Sequence, residues 1–327
     1  YTSHFAIQGK GNNDYWDLSN VVLDMNNSNW ATINVFKASH IRIVNCEHTG
    51  MDGHDSGKGV ISLTTGVDRK IYGNYIHDAG STHSSYTTRK LFHGIYADSA
   101  YGNSDALEIA WNRIEDITGG RGIQLFHGSN SILNASIHDN YINRTALDDI
   151  ILSGVVGSGT KIYNNILANP GQDPEGNGRC IDLRSNPLDV EIFNNTLYPS
   201  GSSNGAFGLY YFSSADIKNN IIYAENSAPY TQGSDTPTGS NNIWYNGNNI
   251  PSWDSNPISA NPDFKSVGAD FHLQSGSAAI DAGTSTGIKR DFEGNLRESG
   301  NIDIGAYEFA GDLVTTTPPS ITSIQIN

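Results

Sequence analysis

The chain has 327 residues, 37% hydrophobic and only 16% charged, with 35 glycines, a mix that suits a turn-rich β protein better than a helical one. Acidic residues outnumber basic ones 34 to 19, for a formal net charge of −15, so a polyanion such as nucleic acid is repelled and no nucleic-acid partner is expected. No run of about 18 apolar residues occurs, which excludes a membrane-spanning helix.

The chain opens at Tyr1 with no visible signal peptide, as a processed product would. From there one pattern recurs: KIYGNYIHD (70–78), EIAWNRIED (108–116), SIHDNYINR (136–144), KIYNNILAN (161–169), EIFNNTLYP (191–199) and DIKNNIIYA (216–224). Each copy has Ile, two variable residues, then Asn, which gives Asn74, Asn112, Asn140, Asn165, Asn195 and Asn220 at spacings of 38, 28, 25, 30 and 25. RIVNCEHTG (42–50) reads as a copy one residue shorter. A second element lies between the copies: KGVIS (58–62), HGIYA (93–97), RGIQL (121–125), DDIIL (148–152), RCIDL (179–183) and FGLYY (207–211). Its apolar residues alternate with variable ones, as in half-buried strands. Short strands in repeats of roughly 25 residues predict an all-β solenoid, a right-handed single-stranded parallel β-helix. The recurrent Asn then stacks as an inward ladder, a structural feature. Cys46 and Cys180 read as two small buried hydrophobes and not as a disulfide or metal framework.

The solenoid is placed at about 15–250, in a domain 1–255. It is followed by NPDFKSVGADFHLQSGSAAIDAG (261–283) and DFEGNLRESGNIDIGAYEF (291–309). NPDF, SAAIDAG and DIGAYEF together resemble the C-terminal segment of secreted bacterial right-handed parallel β-helix proteins. That superfamily includes polysaccharide lyases of the pectate, alginate and chondroitin type, glycosidases and epimerases. The resemblance implies a secreted or cell-surface protein whose segment 256–312 caps the open edge of the last coil. Many such relatives use Ca²⁺ in place of arginine, so Ca²⁺ is the one cofactor it allows, although no acidic cage stands out. Residues 313–327, with TTTPPSITSIQIN, read as a linker to a downstream module or surface anchor. The protein is expected to be a monomer.

The candidate site comes from aligning the second element. The residue before its Gly-like position runs Lys58, His93, Arg121, Asp148, Arg179, Phe207. Stacked strands would make His93, Arg121, Asp148 and Arg179 a row, with Lys58 in reserve and Arg184 on the same strand as Arg179. A local concentration of cations is what an acidic glycan would need on a protein this negative. The alternation sends Ile95 and Ala97, Ile123 and Leu125, Ile150 and Leu152, and Ile181 and Leu183 inward. Outward go Tyr96 and Asp98, Gln124 and Phe126, Ile151 and Ser153, Asp182 and Arg184, Tyr210 and Phe212, a mixture suited to sugar rings and hydroxyls. Strict parity would turn the row inward too, where unpaired ions are costly, so the row residues are placed in the bend before each strand. The insertions 77–92 and 169–178 should wall one edge of this groove. A self-satisfying salt-bridge stack is the structural alternative for the row. The pairs His54-Asp55, His77-Asp78 and His138-Asp139 read as turn caps in preference to metal ligands.

Three functions fit. A lyase acting on uronic acids needs a cation on the substrate carboxylate and a base for the adjacent proton. Arg121 and Arg179 suit the first task and His93 the second. A glycoside hydrolase would draw its acid and base from Asp148, Asp149 and Asp182, since LDDIILSG (147–154) is similar to the paired-Asp segment of polygalacturonase-type β-helices. The third is a non-catalytic carbohydrate-binding or structural solenoid.

Overall fold

The computed structural model describes residues 15–28, 32–53, 58–126, 130–154, 157–199, 203–225, 228, 230–298 and 300–309, with Ser28, Lys58 and Gln232 described by their backbone. His54-Asp55 and the expected linker 313–327 lie outside these residues. Three parallel sheets run the length of a β-helix. The first stacks strands from Trp16–Ser19 to Thr238–Ser240, and the second from Val22–Ser28 to Ile243–Tyr245. The third comprises Ile33–Phe36, Lys58–Thr64, Phe92–Asp98, Ile123–Phe126, Ile150–Ser153, Ile181–Arg184, Phe207–Tyr210 and Thr231–Gly233. The pairing Ile95↔Ile123↔Ile150↔Ile181↔Phe207 sends one apolar column into the interior. Ile71, Ile109, Ile137, Ile162, Ile192 and Ile217 make the matching column of the first sheet, fully buried. Burial of each such side chain contributes about 1.5–3 kcal/mol. No helix among the described residues is long and apolar enough to cross a membrane.

The first and second sheets are joined by a two-residue turn that explains the Ile-x-x-Asn spacing. Its first residue is left-handed (Asn20, Asn45, Gly73, Trp111, Asp139, Asn164, Asn194, Asn219, Asn241), a conformation that Gly, Asn and Asp adopt most readily. Its second residue points inward and forms the ladder. Asn74 Nδ2 donates to Asn112 Oδ1 at 2.9 Å, and the same bond repeats through Asn140, Asn165, Asn195 and Asn220. The ladder runs on through Asn242 and ends on Asp254 Oδ2, which also accepts from Trp244 Nε1. The segment 42–50 is not short, because Ile43 pairs with Ile71 and Cys46 occupies the ladder position. Cys46 N–H donates to Asn74 Oδ1 and its Sγ lies near the carbonyls of Val44 and Leu18. Both cysteines are free and buried, as expected of small hydrophobes.

One inward position is anomalous. Arg69 pairs with Ile41 and Leu107 on the first sheet and is fully buried, and none of its guanidinium nitrogens has a hydrogen-bond partner among the described residues. Burial lowers its pKa to about 10.

Near its start the C-terminal segment meets the last coil at Ile258, and from Phe264 onward it lies along the flank. Phe264, Phe271, Leu273, Ala279, Ile304 and Tyr307 pack with Ile166, Tyr198, Ile221 and Ile243 on the outer face of the second sheet. The left-handed asparagines anchor it: Asn164 Nδ2 donates to Arg290 O, Asn194 to Asp303 O, Asn219 to Thr284 O and Asn241 to Ala282 O. Arg297, buried, donates to Asn164 Oδ1 and to the carbonyls of Asp303, Gly305 and Ala306. The segment covers the flank because it starts beside the last strands and finds there outward amides with free bonding capacity. The edge of the last coil is instead closed by residues 251–258. Asp254 bridges Gly239 and Ile258 bridges Ile243, with Trp253 edge-on to Trp244.

Candidate functional site

The longest connections between the second and third sheets fall where the insertions are expected. Arg89, at the end of the short helix Tyr86–Arg89, donates through Nε to Asp173 Oδ2 at 2.5 Å and through Nη2 to Asp173 Oδ1 at 2.9 Å and Glu175 Oε1 at 2.8 Å. A bidentate guanidinium–carboxylate pair fixes direction as well as distance, so the two insertions form one wall. Behind it lies a pocket lined by Ser81, Thr82, Thr118, Arg144 and Gln172.

His93, Arg121, Asp148 and Arg179 do stand on successive coils, joined by backbone bonds such as Gly94 N to Arg121 O, Gly122 N to Asp148 O and Asp149 N to Arg179 O. Arg121, Asp148 and Arg179 each precede the strand by two residues, in the bend. His93 lies within its strand and is buried. Two assignments are corrected by the register. Lys58 pairs with Phe92 and Gly59 with His93, so Lys58 is off the row by one residue; its side chain lies outside the described residues. Phe207 pairs with Ile181 and is core. Lys58 is thus displaced from the row by one residue, and Phe207, level with Ile181 and not with Arg179, by two.

The row is bonded to itself. Arg121 Nε donates to Asp148 Oδ2 at 2.9 Å, and its Nη1 is 3.4 Å from Gln124 Oε1 and from Lys90 O. Asp148 Oδ1 accepts the Arg179 N–H at 3.1 Å. Arg179 Nη1 donates to Asp182 Oδ2 at 3.2 Å, and Arg184 Nε reaches the same oxygen at 2.7 Å. Arg179 Nη2 donates to Tyr210 Oη at 3.3 Å, with both guanidinium carbons 5.1–5.3 Å from that ring. His93 Nδ1 accepts the backbone N–H of Arg121 at 3.2 Å. Its only lone pair is therefore engaged and the neutral ring carries its proton on Nε2.

On the outer face of the third sheet Tyr96, Gln124, Ile151 and Asp182 form one column, and Asp98, Phe126, Ser153, Arg184 and Tyr210 the next. Tyr96 stacks between His93 and Phe126, at 5.8 and 6.4 Å between centroids. Phe126 is 39% exposed and the Arg184 side chain 42%. Asp182 lies buried beneath the two arginines. Phe212 is beyond the strand, which ends at Tyr210, and packs against the core. Asp149 is buried on the inner side, next to Thr145.

Burial sets the electrostatics. It holds His93 well below its ordinary pKa, with Arg121 adding to the effect. It raises Asp182 to about 6, helped by Asp148 and opposed by Arg184 and Arg179. Burial also drives Asp149 well above the usual carboxylate range. Among the described residues Asp182 Oδ1 has no hydrogen-bond partner; it is buried beside the space where a side chain at Gly208 would sit. Among the described residues no three His, Cys, Asp or Glu side chains gather as a metal cage. The histidine pairs are not turn caps: His77 and Asp78 lie within the strand Tyr75–Gly80, where His77 is bonded to Asp78 and Glu47, and His138 ends the strand Ser136–His138 between Asp139 and Glu108. Sequence reading missed Arg89 and Asp173, 84 residues apart, for which the only signal was the length of the two insertions.

Fold and site together define a parallel β-helix with an ion-paired row at the start of its third sheet. No family model matches the chain, and no curated protein does. Among solved structures it is similar to XylC in complex with xylose, at 12% identity and a TM-score of 0.49, over 85% of this chain and 50% of that one. It is also similar to pectate lyase Pel9A, at 12% identity and a TM-score of 0.36, over 83% and 88%. The chain thus spans half the length of the XylC structure, and the likeness is one of fold.

Proposed function

We propose that the outer face of the third sheet binds an acidic polysaccharide and cleaves it by β-elimination. The observation that carries this reading is the gathering of Arg121, Arg179 and Arg184 on one face of a protein of net charge −15, with Asp148 and Asp182 as their partners and Asp98 one coil before Arg121 as the third carboxylate of that face. Arg184, the most exposed of the three, suits a uronate carboxylate, and neutralising that group eases removal of the adjacent proton. Tyr210, beside Arg179 and Arg184, is the side chain we assign to that proton, which its phenolate form would accept to become the phenol. His93 is a positioning residue, since its lone pair already holds the Arg121 backbone. Phe126 and Tyr96 offer ring faces to the sugars. A substrate of this kind is met outside the cell, so secretion or surface display belongs to the same reading.

Hydrolysis is the second reading, favoured by Asp182. A carboxyl titrating near 6 can stay protonated as a general acid, with Asp148 one coil earlier. Polygalacturonate, alginate, chondroitin sulfate and arabinoxylan should be tested together for ultraviolet absorbance of unsaturated uronate, for new reducing ends and for binding. The expected result is absorbance on an acidic polymer, with Arg184→Ala and Tyr210→Phe each lowering the rate about a hundredfold. Reducing ends without absorbance would select hydrolysis, and binding without product would overturn both chemistries.

A further inference from the structure

We propose that Trp111 is the platform of a second glycan site, for a neutral pyranose chain, on the flank between the first and second sheets. It is independent of the third-sheet groove. Trp111 occupies the left-handed turn position with φ of 56°. The other described coils place Asn20, Asn45, Gly73, Asp139, Asn164, Asn194, Asn219 or Asn241 there. A bulky residue in that conformation is an outlier, and strain of this kind gathers at functional sites. The side chain does not repay the strain by burial, for it is 52% exposed.

The ring is nevertheless held in place. Tyr72 and His138 meet it edge-on, at 5.3 and 5.1 Å between centroids and 75° and 83° between planes. Behind them Glu108 accepts from Tyr72 Oη at 2.5 Å, lies 3.0 Å from His138 Nε2 and pairs with Lys70 Nζ at 3.3 Å. The arrangement is a fixed aromatic surface with a hydrogen-bonding rim, the chemistry that recognises a pyranose ring with its hydroxyls. Charge selects the class of sugar. Glu108, Asp139 and Asp68 outnumber Lys70 and Arg42 around this rim, so a uronate would be repelled and a neutral glycan admitted. The same strip of turns further along is covered by the C-terminal segment, at Asn164, Asn194, Asn219 and Asn241. Trp111 lies upstream of those anchors.

Native gels containing hydroxyethylcellulose, arabinoxylan or polygalacturonate test the site. Trp111→Asn installs the residue that other coils use, so the variant should melt no lower than the parent. Its retardation by at least one neutral polymer should weaken about tenfold, while Arg184→Ala leaves that retardation intact. Polygalacturonate retardation should show the reverse dependence, so the two sites fail separately. No retardation by either neutral polymer, retardation indifferent to Trp111→Asn, or a lowered melting temperature marking Trp111 as a packing residue would each overturn the proposal.

Discussion

Arg89 and Asp173 close two insertions against each other, through a pair of hydrogen bonds between residues 84 positions apart. Asp173 is held below the usual carboxylate range by Arg89. Asp173→Asn should cost roughly 1.5–3 kcal/mol, the worth of hydrogen bonds to charged groups. The loss should be local: faster hydrogen exchange and proteolysis in 81–91 and 170–178, with the ladder residues unchanged. Cooperative destabilisation of the whole coil would refute the clasp as a local device.

Cys46 offers a gain of stability. Its Sγ sits near the carbonyls of Val44 and Leu18, the counterparts of those that ladder asparagines contact two residues back and one coil back. Cys46→Asn should replace two weak thiol contacts by amide bonds and present an oxygen to the preceding coil. We expect about 1 kcal/mol of added stability, read as a higher urea midpoint with an unchanged slope.

Arg69 invites the opposite experiment. Among the described residues nothing accepts a hydrogen bond from this buried cation, which feels Asp98 only at a distance and has lost its hydration for no hydrogen bond in return. Arg69→Met keeps the volume and removes the charge, so it should stabilise the fold by about 1–4 kcal/mol, the range seen when buried ions give way to apolar residues. A lower melting temperature for Arg69→Met would mean that the guanidinium has a partner in solution.

Asp149 predicts a pH dependence. Burial raises its folded pKa well above 3.8, so between its unfolded and folded values the native state binds the proton more than the unfolded chain does. Its contribution is then complete below about pH 4 and is lost as pH rises toward the folded pKa. The neutral acid also suits the geometry: it can donate to Thr145 Oγ1, 2.8 Å away, leaving the threonine hydroxyl for Leu147 O at 2.9 Å. Asp149→Asn preserves that chain of bonds without a titrating group. Its melting temperature should match the parent near pH 4 and exceed it increasingly toward pH 9.

Much of this architecture is local and therefore readable along the chain. A two-residue turn with one left-handed residue forces the Ile-x-x-Asn spacing, and coil stacking forces its repetition, so composition and period alone lead to a parallel β-helix. Even the docking of the C-terminal segment leaves a trace. The turn reads Asn-Val, Asn-Cys, Gly-Asn, Trp-Asn and Asp-Asn in the uncovered coils and Asn-Asn where that segment is anchored. Faces followed from strand parity, which placed Tyr96, Gln124, Phe126 and Arg184 outward.

What stayed illegible depends on register and on contacts between distant segments. Lys58 and Phe207 resemble row residues in a five-letter window, yet hydrogen bonding to the neighbouring coil shifts one onto Phe92 and the other onto Ile181. Whether Arg121 and Arg179 meet a ligand or a carboxylate depends on which groups the coil brings within 3 Å, and no spacing along the chain encodes that. The repeat is written in each turn because turn geometry is satisfied within a few residues. The ion pairs of the row and the clasp of Arg89 on Asp173 exist only once the coils have stacked and the insertions have folded over them.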